Sequence, residues 1–168
     1  MIISQTPFRV SFFGGGSDYP DFFDEHGGAV LGTTINKYSY ISLHQQSRLY
    51  PHRFTAHYAR TEQVGEPSEF EHPLIRETLR HLDINDGLEI SHIADLPGRT
   101  GIGSSSTFTV GLLNALRPAA PEILARDAIH IERERVGDAG GHQDQILAAH
   151  GGFLRVDFTP SAEIRRCG

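Results

Sequence analysis

The sequence predicts an α+β fold, a mixed or antiparallel sheet packed with helices. Three observations predict it. Segments rich in β-branched and aromatic residues crowd the first half of the chain, and apolar patterns of helical period concentrate in the second. No regular strand–helix alternation runs through the chain, as a doubly wound parallel sheet would require. The chain has 168 residues, 38% hydrophobic and 21% charged, enough for one domain with its own core.

Residues 2–13, IISQTPFRVSFF, read as a strand that runs into GGGSDYPDFF. GGAVLGTTI (27–35) and KYSYISLH (37–44) read as two more strands, and RFTAHY (53–58) as another. The polar stretch 61–73, with two prolines, reads as loop. Residues 74–82 place Leu74, Ile75, Leu79 and Leu82 at helical spacing. GLEISHI (87–93) is a strand and SSTFTVGLLNAL (105–116) a helix. RPAAP interrupts the chain before a helix over 122–135, apolar at 123, 124, 128 and 131. A third helix over 141–150 precedes a turn and strand over 151–158. No repeat, low-complexity tract or linker is visible. The sequence stops shortly after that strand, which predicts a frayed end or a piece of a longer protein.

Bulk properties exclude several function classes. The net charge of −6 argues against nucleic-acid or anionic-membrane partners. No apolar run reaches membrane-spanning length, and the N-terminus lacks a signal-peptide pattern. The single cysteine, Cys167, excludes an internal disulfide and fits a reducing cytoplasm. The ten histidines form no HExxH pattern and there is no CxxC, so no structural metal site is expected.

Three segments carry chemistry. The first is PFRVSFFGGGSDYP (7–20), where a strand ends in three glycines that allow close backbone approach. Asp18 beside such a loop suits sugar hydroxyls; it equally suits a glycine-rich turn with an Asx cap. The second is LPGRTGIGSSST (96–107). It lacks the lysine of a Walker A loop, yet strand, glycine loop and Ser104–Ser106 at a helix start suit phosphate. A serine hydroxyl there can also ligate Mg²⁺. The alternative is a flexible linker ending in a serine-capped helix. The third is IERERVGDAGGHQDQ (131–145). Glu132 and Asp144 lie across a glycine break and can face one pocket, one on a metal and one on an acceptor hydroxyl. Arg133, Glu134 and Arg135 read as a solvated helix face, and Asp138 as a turn residue.

Taken together, in this order, the three segments resemble the GHMP kinases, the family of galactokinase, homoserine kinase, mevalonate kinase and phosphomevalonate kinase. The GGGSDY and GGHQDQ runs look most like its heptose 7-phosphate kinase branch. The resemblance covers roughly 2–158. It implies a fold like a ribosomal-protein domain for this N-terminal, ATP-binding half, assigned to residues 1–168, and an ATP- and Mg²⁺-dependent kinase. Its phosphate loop falls on Pro97, Gly98, Arg99, Thr100, Gly101, Ile102, Gly103, Ser104, Ser105 and Ser106. Ser105 and Glu132 fall on the Mg²⁺ ligands, Asp144 on the aspartate that meets the acceptor hydroxyl, and Arg9 on the basic residue beside it. Gly14, Gly15, Gly16, Ser17, Asp18, Tyr19, His142 and Gln143 fall on the substrate side.

The implied acceptor is a small sugar or sugar phosphate, with the anomeric hydroxyl of a heptose 7-phosphate foremost. Lys37, His44, Arg48, Arg53 and Arg60 could each meet a sugar phosphate. The sequence departs from the family in length, in lacking the second, ferredoxin-like half with its third glycine motif, and in a shortened segment before the third motif. It therefore looks like an N-terminal half, expected to self-associate through the uncovered face. Two other readings compete: a catalytically incomplete module that binds nucleotide or sugar phosphate, and a nucleic-acid-binding module of the same fold.

Overall fold

The computed structural model describes residues 1–98, 101–159 and 163–167. Its spine is an antiparallel pair, β1 (Ile2–Phe13) and β2 (Gly28–Gln45). β2 is one strand of 18 residues where two were expected. The expected break survives as a register shift: Pro7 faces Tyr38, but Arg9 faces Thr34. Extra residues of β2 are absorbed around polar Asn36 and Lys37, and pairing resumes on either side, as at a bulge.

The other edge of β2 is divided. Gly28–Thr33 pairs with β6 (Phe153–Phe158), and Ser39–Gln45 pairs with β5 (Leu88–Ala94), both antiparallel. β5 pairs in parallel with β3 (Phe54–His57), which pairs with β4 (Thr61–Val64); β6 pairs with β7 (Glu163–Arg166). The α+β expectation of a mixed sheet with helices therefore holds. The loop expected over 61–73 contains β4, and β7 was not anticipated. Both are short strands of largely polar sequence, TEQV and EIRR, without an apolar alternation to reveal them.

Helices α2 (Pro73–His81), α3 (Ser104–Leu116), α4 (Pro121–Ile129) and α5 (Gln143–His150) cover one face of the sheet. Alternate strand residues are buried beneath them: Ser4, Thr6 and Phe8 in β1, Ile41 and Leu43 in β2, Leu154, Val156 and Phe158 in β6. Ile3, Ile93 and Arg155 point to the open face. α3 is buried nearly all round, from Ser106 to Leu113, so it is the central helix. Ser4 Oγ donates to Gly111 O at 2.7 Å and ties this helix to β1. One short helix, α1 (Pro20–His26), was not anticipated; it buries no residue and so carries no amphipathic pattern. No described helix is long and apolar enough to cross a membrane.

The helix expected over 122–135 changes character partway. After Ile129 it widens into a π-helical turn, His130–Val136, which ends at Gly137 in a left-handed conformation. Such turns recur at functional sites. Arg135 is not a solvated charge here: its Nε donates to Glu77 Oε2 at 3.1 Å, and Arg80 donates to the other oxygen at 3.1 Å.

Two histidines are packed into the aromatic contacts of α3. The His72 ring lies 4.8 Å from Tyr58 and 5.2 Å from Phe108, and His92 lies 4.9 Å from Phe108. His92 Nε2 is 2.9 Å from Ser39 Oγ. Burial holds both imidazoles below the ordinary value of 6.5. The unfolded chain therefore binds more protons as the pH falls through 6.5, and stability is lost on the acid side of that value. Urea unfolding should show a lower free energy at a pH below 6.5 than above it. The slope should flatten in His92→Gln, which keeps a hydrogen-bonding group toward Ser39 without titrating; equal slopes in the two chains would contradict this account.

Candidate active site

Arg9 follows the register shift of β1, on the strand that carries buried Phe8. Its side chain reaches the helical layer. Nε donates to Asp144 Oδ1 at 2.7 Å and Nη2 donates to Oδ2 at 2.6 Å, a two-pronged charged pair. The third nitrogen donates to Gly101 O at 2.8 Å, and the Arg9 amide donates to Ile102 O at 3.3 Å. One residue thus ties the glycine loop after β5 to the first turn of α5.

The start of α3 differs from the serine cap expected from sequence. The N-cap is Gly103, in the left-handed region at φ 74°, and no side chain caps the helix. A Cβ on Gly103 would lie 3.2 Å from Arg9 Cγ and 3.4 Å from Asp144 Oδ2, so the loop needs glycine for conformation and for space. The three serines stand inside the first helical turn. Ser105 is exposed on the cavity wall, Ser104 Oγ is buried without a partner among the described residues, and Ser106 Oγ donates to Glu132 Oε2 at 2.9 Å. The amides at this helix start have no intrahelical partner and face the cavity end of a 13-residue helix.

Asp18 has two backbone partners. Its Oδ1 accepts from Gly16 N at 3.0 Å and its Oδ2 accepts from Gln143 N at 3.1 Å. His142, the N-cap of α5, gives no side-chain cap, so Asp18 supplies one from far along the chain. The fit is close: a Cβ on Gly141 would stand 1.9 Å from Asp18 Oδ2. Ser17 Oγ donates to Gly14 O at 2.7 Å and accepts from Ala29 N at 3.2 Å, which fastens the glycine turn to β2.

These groups surround a cavity of about 380 Å³. Arg9, Asp18, Tyr19, Ser105, Ser106, Glu132, Gln143 and Asp144 line it, together with Arg133, Asp138 and the Gly140–Gly141 backbone. Motifs one, two and three therefore meet at one place. His142 does not join them. It packs against Phe23 at 5.5 Å and lines a second cavity, of about 740 Å³, with His81, His130 and His150. Pro97 and Gly98 are exposed and do not line the site; Arg99 and Thr100 lie outside the described residues. Lys37, His44, Arg48, Arg53 and Arg60 line neither of these two cavities.

Arg133 and Asp138, a solvated helix face and a turn residue by sequence, both line the cavity. The π-helical turn brings Arg133 inward. It donates to Asp138 O at 3.1 Å and to Gly141 O at 2.9 Å, and its Nη2 lies 3.7 Å from Glu132 Oε2. The glycines at 140 and 141 were its only signal: a Cβ on Gly140 would sit 2.8 Å from the guanidinium.

Glu132 is 1% exposed, and burial raises its pKa against the opposing influence of Ser106, Thr109, Gln145 and the Arg133 charge beside it. Its Oε1 has no partner among the described residues. The cavity lining sets two arginines against four carboxylates. An orphaned carboxylate oxygen, neighbouring serine hydroxyls and an excess of negative charge fit a hard divalent cation such as Mg²⁺. No three His, Cys, Asp or Glu side chains converge as a metal cage among the described residues, so such an ion would draw further oxygens from water or substrate. The free amides of α3 beside it fit phosphate.

Residues 73–152 match the GHMP kinases N terminal domain. The chain is 29% identical over 174 residues to the D-glycero-alpha-D-manno-heptose 7-phosphate kinase of Campylobacter jejuni, covering 94% of this chain and 50% of that protein. Its fold is similar to that of a D-glycero-D-manno-heptose 1-phosphate kinase from Bacteriodes thetaiotaomicron, with a TM-score of 0.90 and 28% identity over all of this chain and 60% of the other. It also shares the fold of the Methanococcus jannaschii mevalonate kinase, at a TM-score of 0.75 and 17% identity over 99% of this chain and 56% of the other. The chain spans about half the length of the curated relative it matches. Motifs, family match and fold agree: residues 73–152 match the GHMP kinases N terminal domain, and the whole chain is similar in fold to a heptose phosphate kinase.

Proposed function

We propose that the chain supplies the nucleotide and acceptor face of an ATP-dependent sugar kinase. It would phosphorylate a hydroxyl, the anomeric one foremost, of a heptose 7-phosphate or a related sugar. The assignment of residues 1–168 to an N-terminal, ATP-binding unit belongs to the same proposal. The observation that carries it is Arg9, bonded at once to Asp144 and to the carbonyl of Gly101. The acceptor-side carboxylate and the phosphate-side loop are parts of one bonded unit. Similarity to the two heptose kinases supports the acceptor class.

Phosphoryl transfer asks mainly for positioning and for neutralised charge. The amides of Ser104, Ser105 and Ser106 at the start of α3 receive phosphate oxygens. Ser105 Oγ and Glu132 Oε1 would hold Mg²⁺, which would neutralise charge on the phosphates. Asp144 accepts the acceptor hydroxyl's hydrogen bond through the lone pairs that Arg9 leaves open, and takes its proton. Arg9 fixes the carboxylate plane for that contact. Tyr19 and Gln143, on the cavity wall, offer polar contacts to the sugar, with the glycine turn at Gly15 and Gly16 beside Gln143. Asp18 holds those two walls together through its bonds to Gly16 and Gln143.

Three outcomes are expected. Asp144→Asn should lower kcat by about 10²–10⁴ in an ADP-release assay with heptose 7-phosphate, with ATP affinity little changed; turnover within a few-fold of wild type would remove Asp144 from this role. Gly103→Val places a branched side chain at φ 74° against Arg9, so calorimetric titration should show ATP binding weakened at least ~10-fold. Unchanged binding in the folded variant would mean the loop does not cradle phosphate. Finally, Phe12, Phe13 and Phe153 remain 52%, 73% and 41% exposed, which proposes contact between two copies of the chain. Light scattering should give a mass above the monomer, and a monodisperse monomer would overturn that part.

A further inference from the structure

Gln145 follows Asp144 in the first turn of α5 and is wholly buried. Successive helix residues point about 100° apart. Asp144 is bonded to Arg9, while Gln145 meets the π-helical turn. Its Nε2 donates to Glu132 Oε2 at 2.8 Å, the same oxygen that accepts from Ser106 Oγ. The remaining oxygens of both side chains, Gln145 Oε1 and Glu132 Oε1, have no partner among the described residues. Turning the amide over would set its oxygen against the carboxylate, so the orientation follows from Glu132 itself.

Arg133 Nη2 already stands 3.7 Å from the same oxygen of Glu132. A lysine or arginine at 145 would add a second cation there and compete further with a divalent cation. Leucine would leave a buried carboxylate with one hydrogen bond fewer. An amide anchors Oε2 without adding charge and leaves Oε1 available.

We propose that Gln145 is the positioning residue for Glu132: with Ser106 it pins Oε2, so that Oε1 is presented to Mg²⁺. Its neighbour Asp144 serves the acceptor, so one helical turn sets the metal-side and acceptor-side carboxylates relative to each other. This assignment rests on the kinase reading. The arrangement parallels the outer contacts that orient ligands in metal sites, whose loss weakens metal binding about 10–100-fold.

Calorimetric titration of the full chain with ATP at graded Mg²⁺ tests it. Gln145→Met keeps the side chain's size and removes the donor. The Mg²⁺ concentration for half-maximal enhancement of ATP binding should rise at least ~10-fold, and ATP affinity without Mg²⁺ should stay the same. Bound Mn²⁺, counted by electron paramagnetic resonance, should fall in parallel. If circular dichroism shows that the methionine variant does not fold, Gln145→Asn, which retracts the amide by one methylene, should shift the Mg²⁺ requirement in the same direction. A wild type whose ATP binding ignores Mg²⁺ overturns the kinase reading and this assignment with it. A Mg²⁺-dependent wild type beside an unshifted, folded variant overturns the assignment alone.

Discussion

The guanidinium of Arg9 has five N–H donors in a rigid plane, and the site is organised around how they are distributed. Two nitrogens hold Asp144 and one holds the glycine loop, while the backbone of the same residue keeps its place in β1. A lysine could satisfy any one of these contacts but not their common geometry. The side chain is 12% exposed and that of Asp144 22%, so the pair is shielded but still borders the cavity. Charges so placed are worth keeping only when paired, which couples the position of the loop to the position of α5.

Much of the site is legible in the sequence because its demands are local. Three glycines after a strand, three serines opening an apolar helix and a glycine break before Asp144 mark where the backbone must come close to something. What is not legible depends on contacts between distant segments. Asp18 looks like a sugar-binding carboxylate or a turn cap, yet its observed partners include an amide 125 residues away. Arg133 looks like a surface charge because a π-helical turn leaves no mark on apolar periodicity. His142 sits between two residues of the motif but turns toward the other cavity. The fold follows the same rule. β1, rich in β-branched and aromatic residues, is predicted to its last residue, whereas β2 appears as two strands because the polar residues at its register shift resemble a break.

Several buried polar atoms without partners among the described residues collect at the candidate site: Ser104 Oγ, Glu132 Oε1, Arg133 Nε, Gln143 Oε1 and Gln145 Oε1. Orphaned polar groups are costly in a folded interior, and most are paired in native proteins. Their concentration in one place, against the well-satisfied Glu77 network only a short way along the π-helical turn, separates a polar cluster built for stability from one that awaits oxygen-rich ligands.

The divided edge of β2 has a consequence for how such a chain can change over time. β5 leaves the sheet beside Tyr38, where Asp95 N donates to Tyr38 O, and β6 begins beside Thr34, where Thr34 N donates to Gly152 O. The whole excursion from Asp95 to Gly152, with the glycine loop and α3 to α5, starts and finishes at neighbouring points of a single strand. Its length is therefore decoupled from strand register. An insertion or deletion between α3 and α4 would leave the ladder untouched. The sheet behaves as a fixed chassis, and its helical loop is the part in which lineages can diverge in length without losing the place where both ends meet.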